Sequence, residues 1–128
     1  MASTMDVAKK LVELCQSGNF MGAVDALYGP DIVSIEAQAS PTGQMPQRME
    51  GIKAVRGKSE WWERTHTVHS AKIEGPWPHR DRFIVRFTLD VTAKEGPMAG
   101  QRMTLDETGL YTVKDGKIVQ EEFFYFMG

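Results

Sequence analysis

Residues 110–126, Leu-Tyr-Thr-Val-Lys-Asp-Gly-Lys-Ile-Val-Gln-Glu-Glu-Phe-Phe-Tyr-Phe, are two strand-like runs joined by Asp115-Gly116. Asp-Gly between apolar runs is a strong hairpin signal, because glycine accepts the positive φ that a tight turn imposes. Pairing in this hairpin decides which carboxylates face inward, since successive side chains of a strand point to opposite faces. Along residues 102–113 the alternate set Met103, Leu105, Glu107, Gly109, Tyr111 and Val113 is apolar except for Glu107, so this set is expected to face the core. A three-residue loop with a bulge at Gly116 sets Tyr111 opposite Val119, Gly109 opposite Glu121 and Leu105 opposite Tyr125. A two-residue loop instead turns Ile118, Gln120, Glu122 and Phe124 inward. The bulged register is favoured, because Val119, Phe123 and Tyr125 then surround a single acid, Glu121. Either register puts two carboxylates, Glu107 with Glu121 or Glu122, into one apolar space, where desolvation and mutual repulsion raise at least one pKa. A carboxyl that keeps its proton near neutral pH serves as a general acid, and an ionised neighbour as a general base. The competing use of the same glutamates is structural, paired with Arg64, Arg86 or Arg102 and holding the sheet in register.

The rest of the chain supplies helices to cover that sheet. Val7, Ala8, Leu11, Val12, Leu14 and Cys15 recur at helical spacing and predict a helix over 6–17, capped by Ser3 or Thr4 and ended by Gly18. Asn19 caps a shorter helix carrying Phe20, Ala23, Val24 and Leu27, which Gly29-Pro30 stops. Residues 31–37 are short and β-branched, a strand with Glu36 near its end. Residues 38–50 hold two prolines, a glycine and Met45 and Met49 without periodicity, a loop long enough to act as an adaptable lid. Helical spacing returns over 51–65 through Ile52, Val55, Ser59 and Trp62. From Val68 onward the pattern is strand, cleanest over 82–92, where Phe83, Val85, Phe87, Leu89 and Val91 share a face. Residues 75–79 and 96–100 are expected to be the turns on either side of it. Helices first and strands after predict an α+β layout, a curved antiparallel sheet closed at one end by three helices to leave a cone with a pocket at its open end.

A chain of 128 residues is one ordinary domain. Its net charge of −2 offers no footprint for nucleic acid or acidic lipid. A single cysteine, Cys15, forms no internal disulfide, and the start, Met-Ala-Ser-Thr-Met-Asp, lacks a basic stretch followed by an apolar core, so a cytoplasmic protein is expected, with no membrane partner. No Walker loop, dinucleotide fingerprint, nucleophile elbow or zinc-type Cys/His spacing occurs, which implies neither cofactor nor metal. His66 and His69 follow Trp61-Trp62 at a helix end, a poor metal geometry, though His66 there can serve as a proton shuttle at the pocket mouth. One tryptophan is expected in the core and the other, Trp62 being the candidate, at the pocket rim.

Three segments carry a resemblance over nearly the whole chain: the Gly18-Asn19 break, Leu27-Tyr28-Gly29-Pro30-Asp31, and Val113-Lys114-Asp115-Gly116-Lys117-Ile118-Val119. With them the chain resembles the nuclear transport factor 2-like superfamily, which includes the SnoaL-like proteins and the steroid Δ-isomerases, and within it the SnoaL-like branch. The resemblance implies a cystatin-like α+β cone with a small-molecule pocket, and a homodimer formed through the outer sheet face. Five residues beyond Asp31, Glu36 falls where the steroid isomerases carry their proton-shuttling carboxylate. The tyrosine of their first helix would fall at Leu11 and their protonated aspartate at Gly109 or Thr108, so that oxyanion-binding pair is missing. The terminal acid of the polyketide cyclases falls at Phe126.

These readings together predict cofactor-independent acid/base chemistry of the isomerase, cyclase or dehydratase kind. Glu36 would be the base, Glu107 or Glu121 the proton donor and His66 a shuttle, with Tyr111, Phe123, Tyr125, Trp62 and Met49 forming the ligand walls. The alternatives are a ligand-binding or dimerising module without catalysis, and metal binding by the clustered glutamates.

Overall fold

The computed structural model describes residues 1–40 and 43–125. Phe126, to which the cyclase comparison pointed, and Pro41 and Thr42 of the expected lid lie outside them. Helix α1, Thr4–Gln16, starts in a capping box: the Ser3 hydroxyl accepts the Asp6 backbone N–H at 3.1 Å and the Asp6 carboxylate accepts that of Ser3 at 3.2 Å. Val7, Ala8, Leu11, Val12 and Cys15 form its buried stripe. Helix α2, Phe20–Leu27, is capped by the Asn19 side chain, and α3, Ile52–Thr65, begins after Gly51 at φ 89°.

Six strands make one curled, unclosed sheet: β1 Tyr28–Ile35, β2 Arg48–Glu50, β3 His66–His79, β4 Arg82–Ala93, β5 Arg102–Lys114 and β6 Lys117–Phe124. Their order is β2-β1-β6-β5-β4-β3, antiparallel apart from the β1–β6 seam, where the chain returns in parallel after α3 and three strands have intervened. The three helices cover the inner face. There Phe83, Val85, Phe87, Leu89 and Val91 of β4 are all buried, at roughly 1.5–3 kcal/mol of transfer free energy each.

Four local expectations are corrected. The first strand begins at Tyr28, so Gly29-Pro30 opens it rather than preceding it; the missing N–H of a proline is tolerated at a strand's first residues. The loop after β1 ends early, because residues 48–50 pair with Val33, Ser34 and Ile35 as a short edge strand. Residues 75–79 are not a turn but part of the edge strand β3, with a register irregularity between Glu74 and Trp77 taking up Pro76, while Pro78 stands in register opposite Phe83. The chain reverses at Arg80-Asp81, Arg80 taking φ 58°.

The fourth correction concerns the terminal hairpin, which combines the two expected registers. The turn is the two-residue loop, with Lys114 opposite Lys117 and positive φ at both Asp115 and Gly116. A bulge then falls at Val119, between the pairs Val113–Ile118 and Thr112–Gln120. Ile118 is therefore buried before the bulge, and Glu121 and Phe123 face inward after it. Glu121 is the inward acid, but it stands opposite Tyr111, while Gly109 stands opposite Phe123. Gly109 leaves no gap, because the Tyr111 ring occupies that space, 2.7 Å from where a Cβ would sit.

Candidate functional site

Between the helices and the inner sheet face lies a cavity of about 480 Å³. On β1 the residues Ile32 and Ser34 and, just beyond its end, Glu36 follow one alternation, so a strand buried at Ile32 also turns Ser34 and Glu36 toward the interior. On α3, Val55, Lys58, Trp62 and Thr65 are spaced three, four and three apart, which puts Lys58 on the helix's buried stripe. The Val119 bulge turns Glu121 in, and the alternation of β5 turns Glu107 in beside Phe87.

Glu121 is almost wholly buried and fully engaged. The hydroxyl of Tyr28 donates to its Oε1, Ser34 Oγ donates to Oε2 at 2.6 Å, and Lys58 Nζ stands 3.8 Å from Oε2. Burial raises its pKa, while the lysine charge and the two hydroxyl donors oppose that rise by favouring the ionised form. Lys58 Nζ also donates to Ser34 Oγ and to Glu36 Oε1, the latter at 2.8 Å, and lies 5.4 Å from the centre of the Phe123 ring. Burial and the charge of Glu121 hold the Tyr28 and Tyr111 hydroxyls well above the usual phenol range, so both remain protonated.

Glu107 differs from the other two acids. Among the described residues it has no hydrogen-bond or ion-pair partner, and the surface it keeps is turned to the cavity it lines. Burial, reinforced by the charge of Glu36 and opposed by Lys58, lifts its pKa from 4.5 to about 7. A value in that range leaves both the carboxylic acid and the carboxylate accessible near neutral pH.

The expected residues separate accordingly. Glu36, Glu107, Glu121, Tyr111, Phe123, Tyr125, Trp62 and His66 all line the cavity. Met49 does not; it packs against the core from the edge strand β2, because the strand pairing of residues 48–50 pulls it away from the loop. Met45 lines the cavity in its place. His66 stacks on Trp62, with ring centres 4.6 Å apart, and its Nδ1 lies 3.0 Å from the Trp62 carbonyl; burial holds its pKa below the ordinary value. The Tyr125 hydroxyl reaches the Gln38 carbonyl at 3.5 Å, and its pKa is raised by burial and by Glu36. Cys15 lies on the cavity floor with its thiol pushed up to about 12, a packed side chain rather than a nucleophile.

No arginine pairs with the three inner glutamates among the described residues; Arg86 and Arg102 hold Asp106 and Asp90 outside. Sequence reasoning missed Lys58, Ser34 and Tyr28. The available signals were a lysine on the apolar stripe of α3 and a serine on the buried alternation of β1. Nor do three His, Cys, Asp or Glu side chains converge as a metal site among the described residues.

A model of the SnoaL-like domain matches residues 2–125. Among solved structures, a candidate SnoaL-like polyketide cyclase from Mesorhizobium loti is 41% identical, with 97% of this chain and 100% of that one covered and a TM-score of 0.87. A nuclear transport factor 2-like protein of unknown function from Burkholderia pseudomallei has the same fold at 16% identity, covering 98% of this chain and 92% of its own, with a TM-score of 0.78. A candidate isomerase from Bacillus subtilis does so at 15% identity, covering 96% and 86%, with a TM-score of 0.70. No curated protein matches the chain. No helix among the described residues is long and apolar enough to cross a membrane.

Proposed function

The chain belongs to the SnoaL-like domain family, and from that premise we propose that its cavity carries out cofactor-independent proton transfer on a small organic molecule, of the isomerase, cyclase or dehydratase kind. The observation that carries this reading is the Glu107 carboxyl, without a hydrogen-bond or ion-pair partner among the described residues and lifted to about 7 within an aromatic cavity. As a carboxylate it removes a proton from a carbon next to a carbonyl, and as a carboxylic acid it returns that proton elsewhere on the substrate. The charge left on the substrate oxygen faces the Lys58 ammonium, which Glu36 and Glu121 hold in place. Lys58 thus supplies the oxyanion donor for which the sequence offered no counterpart. In this reading Glu36 and Glu121 orient Lys58, and His66 relays protons at the mouth. A single unpaired Cys15 fits work in the cytoplasm.

The test is deuterium exchange into a panel of enolisable cyclic ketones in heavy water, followed by proton NMR. Exchange is expected to rise as pH passes through about 7, and to fall by roughly a hundredfold or more in Glu107→Gln. Exchange that is indifferent to that substitution removes Glu107 from the chemistry.

A second reading, a ligand-binding module without catalysis, is favoured by one observation: Glu36 and Glu121 are both spent on Lys58. It predicts ligand binding with no exchange in any substrate. Homodimerisation through the outer sheet face is supported by Trp77, Ile84 and Leu110, which stand side by side across β3, β4 and β5 with Trp77 and Ile84 exposed. Sedimentation of the wild type as a dimer and of Trp77→Glu as a monomer is the expected result.

A further inference from the structure

We propose that the cavity selects organic amines, the ligand's ammonium pairing with Glu107 and its hydrocarbon body lying against Phe87, Phe123 and Trp62. This rests on the reading of the cavity as a ligand site and does not require catalysis. The chain as a whole is nearly neutral at −2, but the cavity wall is not. Five inward or rim carboxylates line it, those of Glu36, Glu63, Glu95, Glu107 and Glu121, and Lys58 is the only lysine or arginine among its described residues. The lysine is shared by Glu36 and Glu121. Among the described residues Glu107 has no ion-pair partner of its own, and it lines the open space.

Glu63 and Glu95 are exposed and screened by water, but charge on the more buried Glu107 and Glu121 is weakly screened, so a carboxylate or phosphate would enter beside them at a cost. An ammonium meets the reverse. The chain's own Lys58 shows how this wall receives one, between carboxylates and over the face of Phe123. Opposite Glu107 the wall again offers a carboxylate beside an aromatic ring, since Phe87 is its cross-strand neighbour. An amine also suits proton transfer, because a positive charge acidifies the hydrogens on adjacent carbon and places them beside Glu107.

The charged and titratable groups that line the cavity with Glu107 are Cys15 on α1, Tyr28 and Glu36 on and beyond β1, Lys58 and Glu63 on α3, His66 at the start of β3, Glu95 after β4, Tyr111 on β5, and Glu121 and Tyr125 on and beyond β6. Of these, His66 is held below the ordinary histidine value by burial, and Glu121 accepts two hydroxyl hydrogen bonds and faces Lys58, whereas Glu107, lifted to about 7, changes its charge between pH 6 and pH 8.

Calorimetric titration with tryptamine, tryptophol and indole-3-acetate, one ring system carrying a positive, no and a negative charge, tests the proposal. Tryptamine is expected to bind at least about tenfold tighter than tryptophol at pH 8, with indole-3-acetate weakest. Its advantage should shrink at pH 6 and vanish in Glu107→Gln. The pH arm uses the wild type alone and stands even if that variant folds poorly. Indole-3-acetate binding as tightly as tryptamine, or an amine advantage unmoved by both pH and substitution, overturns amine selection and leaves the ligand site standing. Failure of all three to bind overturns both. Amine binding without deuterium exchange in any ketone removes the catalytic reading alone.

Discussion

The two faces of the sheet use the same kinds of side chain to opposite effect. Outside, Arg86 grips Asp106 through two hydrogen bonds of 3.0 and 2.8 Å, and Arg102 grips Asp90 through two of 2.9 and 2.7 Å. Each aspartate pKa is lowered by its arginine, each of these two acids has its own cation, and water screens what remains. Inside, three glutamates share one lysine, and the acid left over titrates near neutrality. The difference lies in stoichiometry and dielectric. Matched pairs in water are chemically silent, whereas an unmatched acid in a low-dielectric hollow acquires a proton it can give away.

Removing the inner cation breaks this contrast most severely. Lys58→Met leaves Glu36 and Glu121 facing each other without a counter-charge, and is expected to cost about 3–5 kcal/mol in urea unfolding at pH 8. Part of that loss should return on acidification, as the carboxylates protonate. Glu107→Gln should act in the opposite direction. Because the folded state holds this proton up to about 7 while the unfolded chain releases it near 4.5, the wild type loses stability as pH rises from 4.5 through 7. The glutamine variant escapes that loss, so the two should be equally stable at pH 4 and the variant more stable at pH 8 by up to about 3 kcal/mol. A smaller effect is expected for Tyr28→Phe, which removes one donor to Glu121: about 1.5–3 kcal/mol by the same measurement. Arg86→Ala on the outer face should leave the unfolding midpoint almost unmoved, and any residual effect should disappear in high salt. A large Arg86 effect, or a negligible one at Lys58, would dissolve the contrast between the faces.

The elements were legible where a single period governs a segment. The stripe of α1, the Asn19 cap, the clean alternation of β4 and the Asp115-Gly116 turn all state locally what they become. Legibility failed where a distant partner arbitrates. Residues 48–50 become a strand because β1 offers an edge, and residues 75–79 stay in a strand because their prolines lie on the sheet's outermost edge. In the candidate site, Glu107 and Glu121 were visible as acids on apolar alternations, but the correct inward glutamate depended on a bulge at Val119 rather than at Gly116. Lys58 passed unseen, since a lysine in a helix reads as a solvated residue unless its place on the buried stripe is weighed.

By itself the sequence determined the periodicities, and through them the layering of three helices on a curved sheet and the presence of acids among core residues. These follow from local rules, because strand and helix repeats assign each side chain to a face whatever lies beyond it. Tertiary structure alone decided which acids have partners. Glu36 and Glu121 lie 22 and 63 residues from Lys58, and only the packing of α3 across β1 and β6 brings the three together, leaving Glu107 without an ion-pair partner among the described residues and facing an open space. Charge compensation depends on distances between elements, and no local pattern encodes those.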